Sequence, residues 1–426
     1  MFTEITDPDR LTERAEELEA SVLRGEVIVM RNALQSFDCM ELIEQAACIG
    51  VEKSSGKKVA DLARSEGFHR IHEWVSAEEI PALTDAVYDE IRPLAGELLR
   101  KIVPGMFPGI DAYYYERTPN VRFHIPYDIA SKHQKAYKKF GKDHGQGKIT
   151  AHGPHRDSWL DCPSNGINLW FAVGRIRPGN GLTVFTDDYH TEAVYQKSGN
   201  ISDGEQLHKA QCFDLHPGDV VMFHTDHVHG SELNRLNETR FAISFRIATE
   251  KPRFPNLHYH HYVYSRLESL PRLAQLPALA QLSYIRSFFV RIARKLMPSV
   301  AKQEATPKAP EVIGQRSEDM IRVPLTEVPI GEVRGISAAL CVARTGENDV
   351  IATTRRCPHQ GGDLVNGWVD GNSIVCPWHN LPFCTSEGRS DCESLPALKM
   401  VRAEITNDEI VVYPKERIEN SKVKVA

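Results

Sequence analysis

The sequence predicts a mainly β protein with flanking helices, in which a double-stranded β-helix (jelly roll) is followed by a small all-β domain. Three observations carry this. Short apolar segments separated by Gly/Pro turns run from Ala112 to Ile247. A second set of strand-like segments surrounds two Cys- and His-bearing loops near the C-terminus. Between the two sets lies a Pro-punctuated stretch ending in a Pro/Ala/Lys-rich linker, Ala305 to Pro310. The expected division is 1–265 for the jelly roll, 266–314 for a helical segment and linker, and 315–426 for the second domain.

The elements follow in order. Asp9 to Leu23 has helical periodicity, with Glu16, Glu17 and Glu19 on the wet side. Val27 to Met30 is a short apolar strand. Ile91 to Ile102 reads as a helix that ends before Pro104 and Gly105. Strands are then expected at Tyr113–Tyr115, Gly166–Gly174, Gly181–Thr186, Asp219–His224 and Thr239–Ile247. Turns fall at Arg177–Gly181 and His216–Asp219. Several short strands with such turns suit a jelly roll. Pro271, Pro277 and Pro298 bracket a helix over 279–297, where Ile285, Phe288, Phe289, Ile292 and Leu296 form an apolar stripe. Arg286, Arg291, Arg294 and Lys295 fall mostly elsewhere, so a weak membrane-surface contact is one use of this helix. Packing against a neighbouring domain is the commoner one.

Composition excludes several classes. A chain of 426 residues is long enough for two or three domains, each with a core. With 41% hydrophobic and 25% charged residues it is not a disordered chain. A net charge of −6 gives no bulk attraction to nucleic acid. The start, Met1-Phe2-Thr3-Glu4, lacks the basic and apolar regions of a secretory signal. No run approaches the ~18 apolar residues of a transmembrane helix. Of nine Cys, only Cys357 and Cys376 have ligand-type neighbours; the others read as buried thiols in a reducing compartment, so the expected location is cytoplasmic.

The two C-terminal loops are Cys357-Pro358-His359 and, after sixteen residues, Cys376-Pro377-Trp378-His379. Each offers one thiolate and one imidazole. Two Cys for one iron and two His for the other is the donor set of a Rieske 2Fe–2S cluster. Zinc also accepts two Cys and two His, but zinc fingers pair Cys with Cys and His with His rather than mixing them in each loop. The region from Gln315 to Pro414 resembles a Rieske ferredoxin-like domain, including the lead-in Ile321–Leu325, the turn at Glu387-Gly388 and the closing strand Glu409–Tyr413. No Cys lies at 360–362, so the loop-to-loop bridge of respiratory Rieske proteins is not expected. Leu381 and Phe383 stand where that type carries hydroxyl donors to cluster sulfur. Fewer donors favour a potential toward the low end of the roughly −150 to +300 mV Rieske range.

A second constellation begins at His155-Arg156-Asp157. On a strand, His155 and Asp157 would share a face and Arg156 would point away. A distant His would complete a two-His-one-carboxylate triad, which leaves positions on iron open. His224, His227 and His229 are the candidates, and His229, followed by Gly230-Ser231, is preferred. Together with Asn168–Ala172, Gly179-Asn180-Gly181, Pro217–Val221 and Arg240, these residues give Gly25 to Ile247 a resemblance to the phytanoyl-CoA hydroxylase-like Fe(II)/2-oxoglutarate dioxygenases. The resemblance implies that His155, Asp157 and His229 hold Fe(II). It implies that Arg240 clamps the distal carboxylate of 2-oxoglutarate, Ser231 hydrogen-bonds it and Trp170 lines its pocket. Arg246 is the alternative clamp. The usual Pro-Gly-Ser-His end of the middle strand is replaced by Asp187-Asp188-Tyr189-His190. In related halogenases a small residue replaces the carboxylate. Asp157 fills that position, so hydroxylation or desaturation is expected rather than chlorination.

The expected activity is therefore oxidation of a C–H bond in a small organic substrate by dioxygen and 2-oxoglutarate. That reaction is electron-balanced: dioxygen takes four electrons, two from 2-oxoglutarate and two from substrate. The 2Fe–2S cluster is thus expected to deliver rescue electrons to iron oxidised in uncoupled turnover. No flavin or nicotinamide fingerprint is visible, so a separate reductase or ferredoxin is expected as partner. The alternative is a Rieske electron-transfer or redox-sensing module whose jelly roll binds without catalysing. The Lys- and His-rich tract Tyr127–Lys148 reads as a solvated loop or as a face toward an anionic substrate.

Overall fold

The computed structural model describes residues 2–5, 11–110, 112–133, 152–160, 162–196, 201–254, 264–268, 312–317 and 319–418. The expected helix over 279–297, the linker at 305–310 and most of the tract after His133 lie outside the described residues.

The chain opens with strand β1 (Phe2–Ile5), helix α1 (Leu11–Leu23) and strand β2 (Val27–Met30). Three longer helices follow: α2 (Met40–Ser55), α3 (Lys57–Glu66) and α4 (Ile80–Met106). The sequence places α4 only at Ile91–Ile102, but it starts eleven residues earlier and runs through Pro93 and Pro104. Packing explains the extension. Leu99, Ile102, Val103 and Met106 are fully buried, and the Phe107 amide caps Val103 O at 2.8 Å. Burial of that last turn outweighs the helix-breaking tendency of one proline.

Strands β3 (Ala112–Glu116), β4 (Asn120–His124), β5 (Ile167–Ala172), β6 (Leu182–Val184), β7 (Gln211–Cys212), β8 (Val220–His224), β9 (His229–Ser231), β10 (Arg240–Ala248) and β11 (Tyr264–Glu268) complete the first unit. They make an eight-stranded sheet in the order β1-β2-β8-β5-β10-β3-β11, with β4 also on β10, and a three-stranded sheet β7-β6-β9. The helices cover the outer face of the large sheet, where Ile167, Leu169, Phe171, Ile243, Phe245 and Ile247 join their core. Alternation then turns Asn168, Trp170, Arg240, Ala242, Ser244 and Arg246 to the inner face, which with the small sheet bounds a cavity.

The second unit holds a seven-stranded sheet and a three-stranded one. The larger contains β12 (Gln315–Arg316), β13 (Ile321–Pro324), β14 (Val333–Gly335), β15 (Leu340–Arg344) and β16 (Val350–Thr354). The smaller is formed by β17 (Trp368–Asp370), β18 (Ser373–Cys376) and β19 (Leu381–Cys384), after which β20 (Met400–Thr406) and β21 (Glu409–Arg417) complete the larger. A fully buried ion pair lies just beyond β16: Arg355 Nε donates to Asp363 Oδ1 at 2.8 Å, with the side chains 1% and 0% exposed.

Candidate active site

His155 is held by a two-way antiparallel bridge. Its amide donates to His229 O at 3.0 Å, and the His229 amide donates to His155 O at 2.9 Å. The His155-x-Asp157 pair is therefore not on a continuous strand, as the sequence suggests. His155 sits in an isolated bridge and Asp157 opens a 3-10 turn, Asp157–Trp159. The turn is anchored by Asp157 N donating to Thr225 O at 3.1 Å. The two side chains still converge, and Arg156 points away to the carbonyls of Asp188 and Thr191.

His155 Nε2 lies 3.7 Å from Asp157 Oδ1, and His229 Nε2 lies 3.8 Å from Asp157 Oδ2. An ion bonded at about 2.1 Å to each donor spans such gaps. Among the described residues this is the group of His, Cys and carboxylate donors compact enough for one metal ion. The outer nitrogens fix the rings: His155 Nδ1 donates to Gly153 O at 2.8 Å and His229 Nδ1 to His227 O at 3.0 Å. Both Nε2 lone pairs are then aimed inward, as metal-binding imidazoles require. Burial, reinforced by His229, pushes the His155 pKa down to about 3, so the ring is neutral and able to ligate.

Asp157 is 1% exposed. Burial alone would raise its pKa, but Arg246, His229 and His155 together hold it well below the usual carboxylate range. Arg246 donates from Nε to Oδ2 at 2.8 Å and from Nη2 to Oδ1 at 3.1 Å, and from Nη1 to Glu116 at 2.8 Å. Arg246 is thus committed to the carboxylate of the triad. A carboxylate has lone pairs enough to accept this fork and still bind a cation.

Arg240 sits elsewhere on the same face of β10, 1% exposed. Its Nη1 donates to Gly181 O at 3.0 Å, its Nη2 lies 3.2 Å from His124 Nε2 and 3.5 Å from Ser231 Oγ, and Trp170 lies under the guanidinium at 6.0 Å. Its Nε is buried with no hydrogen-bond partner among the described residues. Burial and Arg122 lower its pKa to about 9, so an anion in the cavity is favoured beside it. The structure thus brings Arg240, Ser231 and Trp170 to one end of the cavity that His155 and His229 also line.

The other histidines have structural partners. His227 Nε2 donates to Gly25 O at 3.0 Å, and His224 Nδ1 accepts from the Asp226 amide at 3.2 Å. Arg122, which lines the cavity, and His124 on the same strand escape sequence reasoning. Arg122 and His124 stand on β4, opposite Ala242 and Arg240. Arg122 lines the cavity, as Arg246 does. Burial, with Arg246, lowers its pKa to about 10. The signal was present in Asn120-Val121-Arg122-Phe123-His124, whose apolar positions enter the core and whose Asn120 and Arg122 line the cavity.

In the second unit the four ligand-type residues pair by type. His359 Nδ1 and His379 Nδ1 approach to 3.2 Å, and the Cys357 and Cys376 sulfurs are in contact. No three of these donors close up as a single-ion group, which a tetrahedral zinc would need. Backbone N–H groups of His359 and Gln360 point at Cys357 Sγ, and that of Trp378 at Cys376 Sγ. No disulfide joins any of the nine Cys. Leu381 and Phe383 are fully buried beside the site.

A jelly roll with a buried His/Asp/His group, followed by a β domain with paired Cys/His loops, defines an oxygenase with an electron-transfer domain. Residues 27–242, just over half of the chain, match the model of the phytanoyl-CoA dioxygenase (PhyH) family, and 317–416 match that of the Rieske [2Fe-2S] domain. The chain belongs to the phytanoyl-CoA dioxygenase family and carries a C-terminal Rieske domain. Its cofactors are Fe(II) with 2-oxoglutarate in the first unit and a 2Fe–2S cluster in the second. The ferredoxin component of a naphthalene 1,2-dioxygenase system from Pseudomonas aeruginosa is 32% identical over 73 residues, which cover 16% of this chain and 69% of that protein. A chain in the solved complex of reduced oxygenase and oxidized ferredoxin in carbazole 1,9a-dioxygenase is 26% identical, with a TM-score of 0.22, covering 24% of this chain and 100% of that one. The epimerase SnoN in complex with Fe3+, alpha ketoglutarate and nogalamycin RO is 14% identical, with a TM-score of 0.35, covering 64% of this chain and 94% of that one. Among the described residues no helix is long and apolar enough to cross a membrane.

Proposed function

We propose that the protein is an Fe(II)/2-oxoglutarate-dependent dioxygenase that oxidises a C–H bond of a small organic substrate, with electrons supplied by its own Rieske domain. The carrying observation is the triad: two imidazoles with their outer nitrogens tied to carbonyls face one carboxylate held by Arg246. In this reading His155, Asp157 and His229 hold iron, Arg240 and Ser231 take the distal carboxylate of 2-oxoglutarate, and Trp170 walls its pocket. Cys357, His359, Cys376 and His379 hold the cluster. The catalytic unit is 1–265, the connecting segment 266–314 and the Rieske unit 315–426.

When bound, the iron supplies dioxygen activation coupled to decarboxylation of 2-oxoglutarate, and the cluster supplies single electrons. The chain's own residues do the rest. Arg246 keeps Asp157 ionised, and Gly153 and His227 carbonyls keep both imidazole Nε2 atoms unprotonated. Arg240 orients the co-substrate by a planar two-point contact that lysine cannot reproduce. Asp157 fills the position a halide would need, which supports hydroxylation or desaturation.

Anaerobic reconstitution with iron and sulfide counts, followed by 2-oxoglutarate consumption and succinate release, tests the reading. About three irons and two sulfides per chain, with turnover lost in Asp157→Ala, are expected. Unchanged 2-oxoglutarate consumption in that variant would leave only a Rieske electron-transfer or redox-sensing module with a binding jelly roll. A separate reductase or ferredoxin is the expected electron donor.

A further inference from the structure

The Rieske unit is not a loose appendage. Trp368 and Val375 share an apolar cluster with Phe185, Ile201, Leu207 and Val228 of the jelly roll. Leu233 of the jelly roll is 4% exposed and joins the cluster that encloses Cys357 and Cys376. Polar contacts fix the register. Gly204 N donates to Asn366 Oδ1 at 2.7 Å, Asn366 Nδ2 to Ser202 O at 2.7 Å, and Arg356 pairs with Asp203 at 2.6 Å.

At the centre of this interface the two sites are joined by backbone. The Leu233 amide donates to the carbonyl of His379 at 3.0 Å. Leu233 lies four positions after His229 along the chain. At about 3.3–3.6 Å per residue, at most about 14 Å of chain separates their Cα atoms. The next residue on each side reinforces the joint. Asn380, with φ of 49°, donates from Nδ2 to Glu232 Oε1 at 3.1 Å. Glu232 is fully buried, and its Oε2 accepts from Gly181 N at 3.1 Å, beside the Gly181 carbonyl that receives Arg240. His379 is 2% exposed and faces inward, whereas His359 is only half-buried and packs edge-on to Tyr127 at 5.0 Å.

We propose that this joint is an intramolecular electron route, entering at His359 and leaving through the His379 carbonyl, the Leu233 amide and the four-residue segment to His229. The inference rests on the proposed function and adds its wiring. The transfer it carries is one electron: a reduced cluster is oxidised by one unit, a ferric mononuclear iron is reduced to ferrous, and no bond or proton moves. The cluster is reloaded by an external ferredoxin or flavin reductase. Glu232 and Asn380 are positioning residues that hold the two backbones in contact.

The test uses the full chain carrying both metal centres. Cluster reduced anaerobically is followed as it reoxidises while the mononuclear site is ferric, by stopped-flow absorbance and by the high-spin ferric resonance. The expected result is a first-order rate independent of protein concentration. In Asn380→Leu and Glu232→Gln the rate should fall by about tenfold, while the cluster spectrum and iron stoichiometry stay intact. A rate proportional to protein concentration overturns the proposal, and so does an unchanged rate in both variants. If those variants fail to fold, the native protein still decides it through the concentration series. Faster spin relaxation of the reduced cluster with Co(II) than with Zn(II) in the mononuclear site is a second expected result, and identical relaxation counts against the route. Failure of the reconstituted protein to bind any mononuclear iron would instead sink the proposed function itself.

Discussion

Arg246 and Asp157 meet through two parallel contacts, Nε to Oδ2 at 2.8 Å and Nη2 to Oδ1 at 3.1 Å, with Asp157 1% exposed. The fork orients the carboxylate that faces both imidazoles and keeps it ionised. Arg246→Lys retains the charge but loses the planar fork. It should weaken Fe(II) binding by roughly 10–100-fold, read by anaerobic metal titration, with the cluster absorbance unchanged.

Arg240 offers a buried guanidinium whose Nε has no partner among the described residues. Arg240→Lys should raise the 2-oxoglutarate concentration needed for half-maximal turnover by about 10–100-fold, the loss of a charge-assisted contact of roughly 1.5–3 kcal/mol. A KM for 2-oxoglutarate that stays put would remove Arg240 from the co-substrate site.

Asp363 closes the buried pair with Arg355 and also accepts from the Val365 amide at 3.1 Å and the Gly204 amide at 3.1 Å. Asp363→Ala leaves Arg355 charged, buried and unpaired. A destabilisation of about 3–5 kcal/mol is expected, measured by chemical denaturation monitored at the cluster absorbance.

His124 is 3% exposed, and its Nε2 faces Arg240 at 3.2 Å. Burial, then Arg240 and Arg122, hold its pKa well below the ordinary histidine value of 6.5. The unfolded chain therefore takes up a proton near pH 6.5 that the folded chain refuses. Stability conferred by neutral His124 is complete above that pH and falls as pH drops below it, by up to about 1.4 kcal/mol per unit. Denaturation midpoints at pH 7 and pH 5 should show this slope, and His124→Gln should flatten it.

In the proposed assignment His359 is a cluster ligand, and His359→Ala removes it. Total turnovers without ascorbate should then fall relative to the native protein supplied with an electron donor, and ascorbate should restore them. Equal totals in both proteins would rule out a rescue role for the cluster.

The two cofactor classes were legible because most of the donor-type residues stand close together in sequence. Two loops of Cys-x-His and Cys-x-x-His announce a cluster whatever the rest of the chain does, and His155-x-Asp157 places two donors within one turn of backbone. Strand periodicity located β2, β3, β5, β8 and β10 for the same local reason. The full extent of α4 was not legible, because Pro93 and Pro104 are tolerated only where the buried turns around them compensate.

The sequence by itself determined the donor types, the two cofactor classes and the layered β architecture, since each depends on neighbours a few residues apart. The tertiary structure alone decided three things. It turned His229 inward while seating His227 on Gly25, it gave Arg246 to Asp157 and left Arg240 facing the cavity, and it set His379 against Leu233. Each is a meeting of residues distant along the chain, fixed by which strands pair and which apolar faces close on one another.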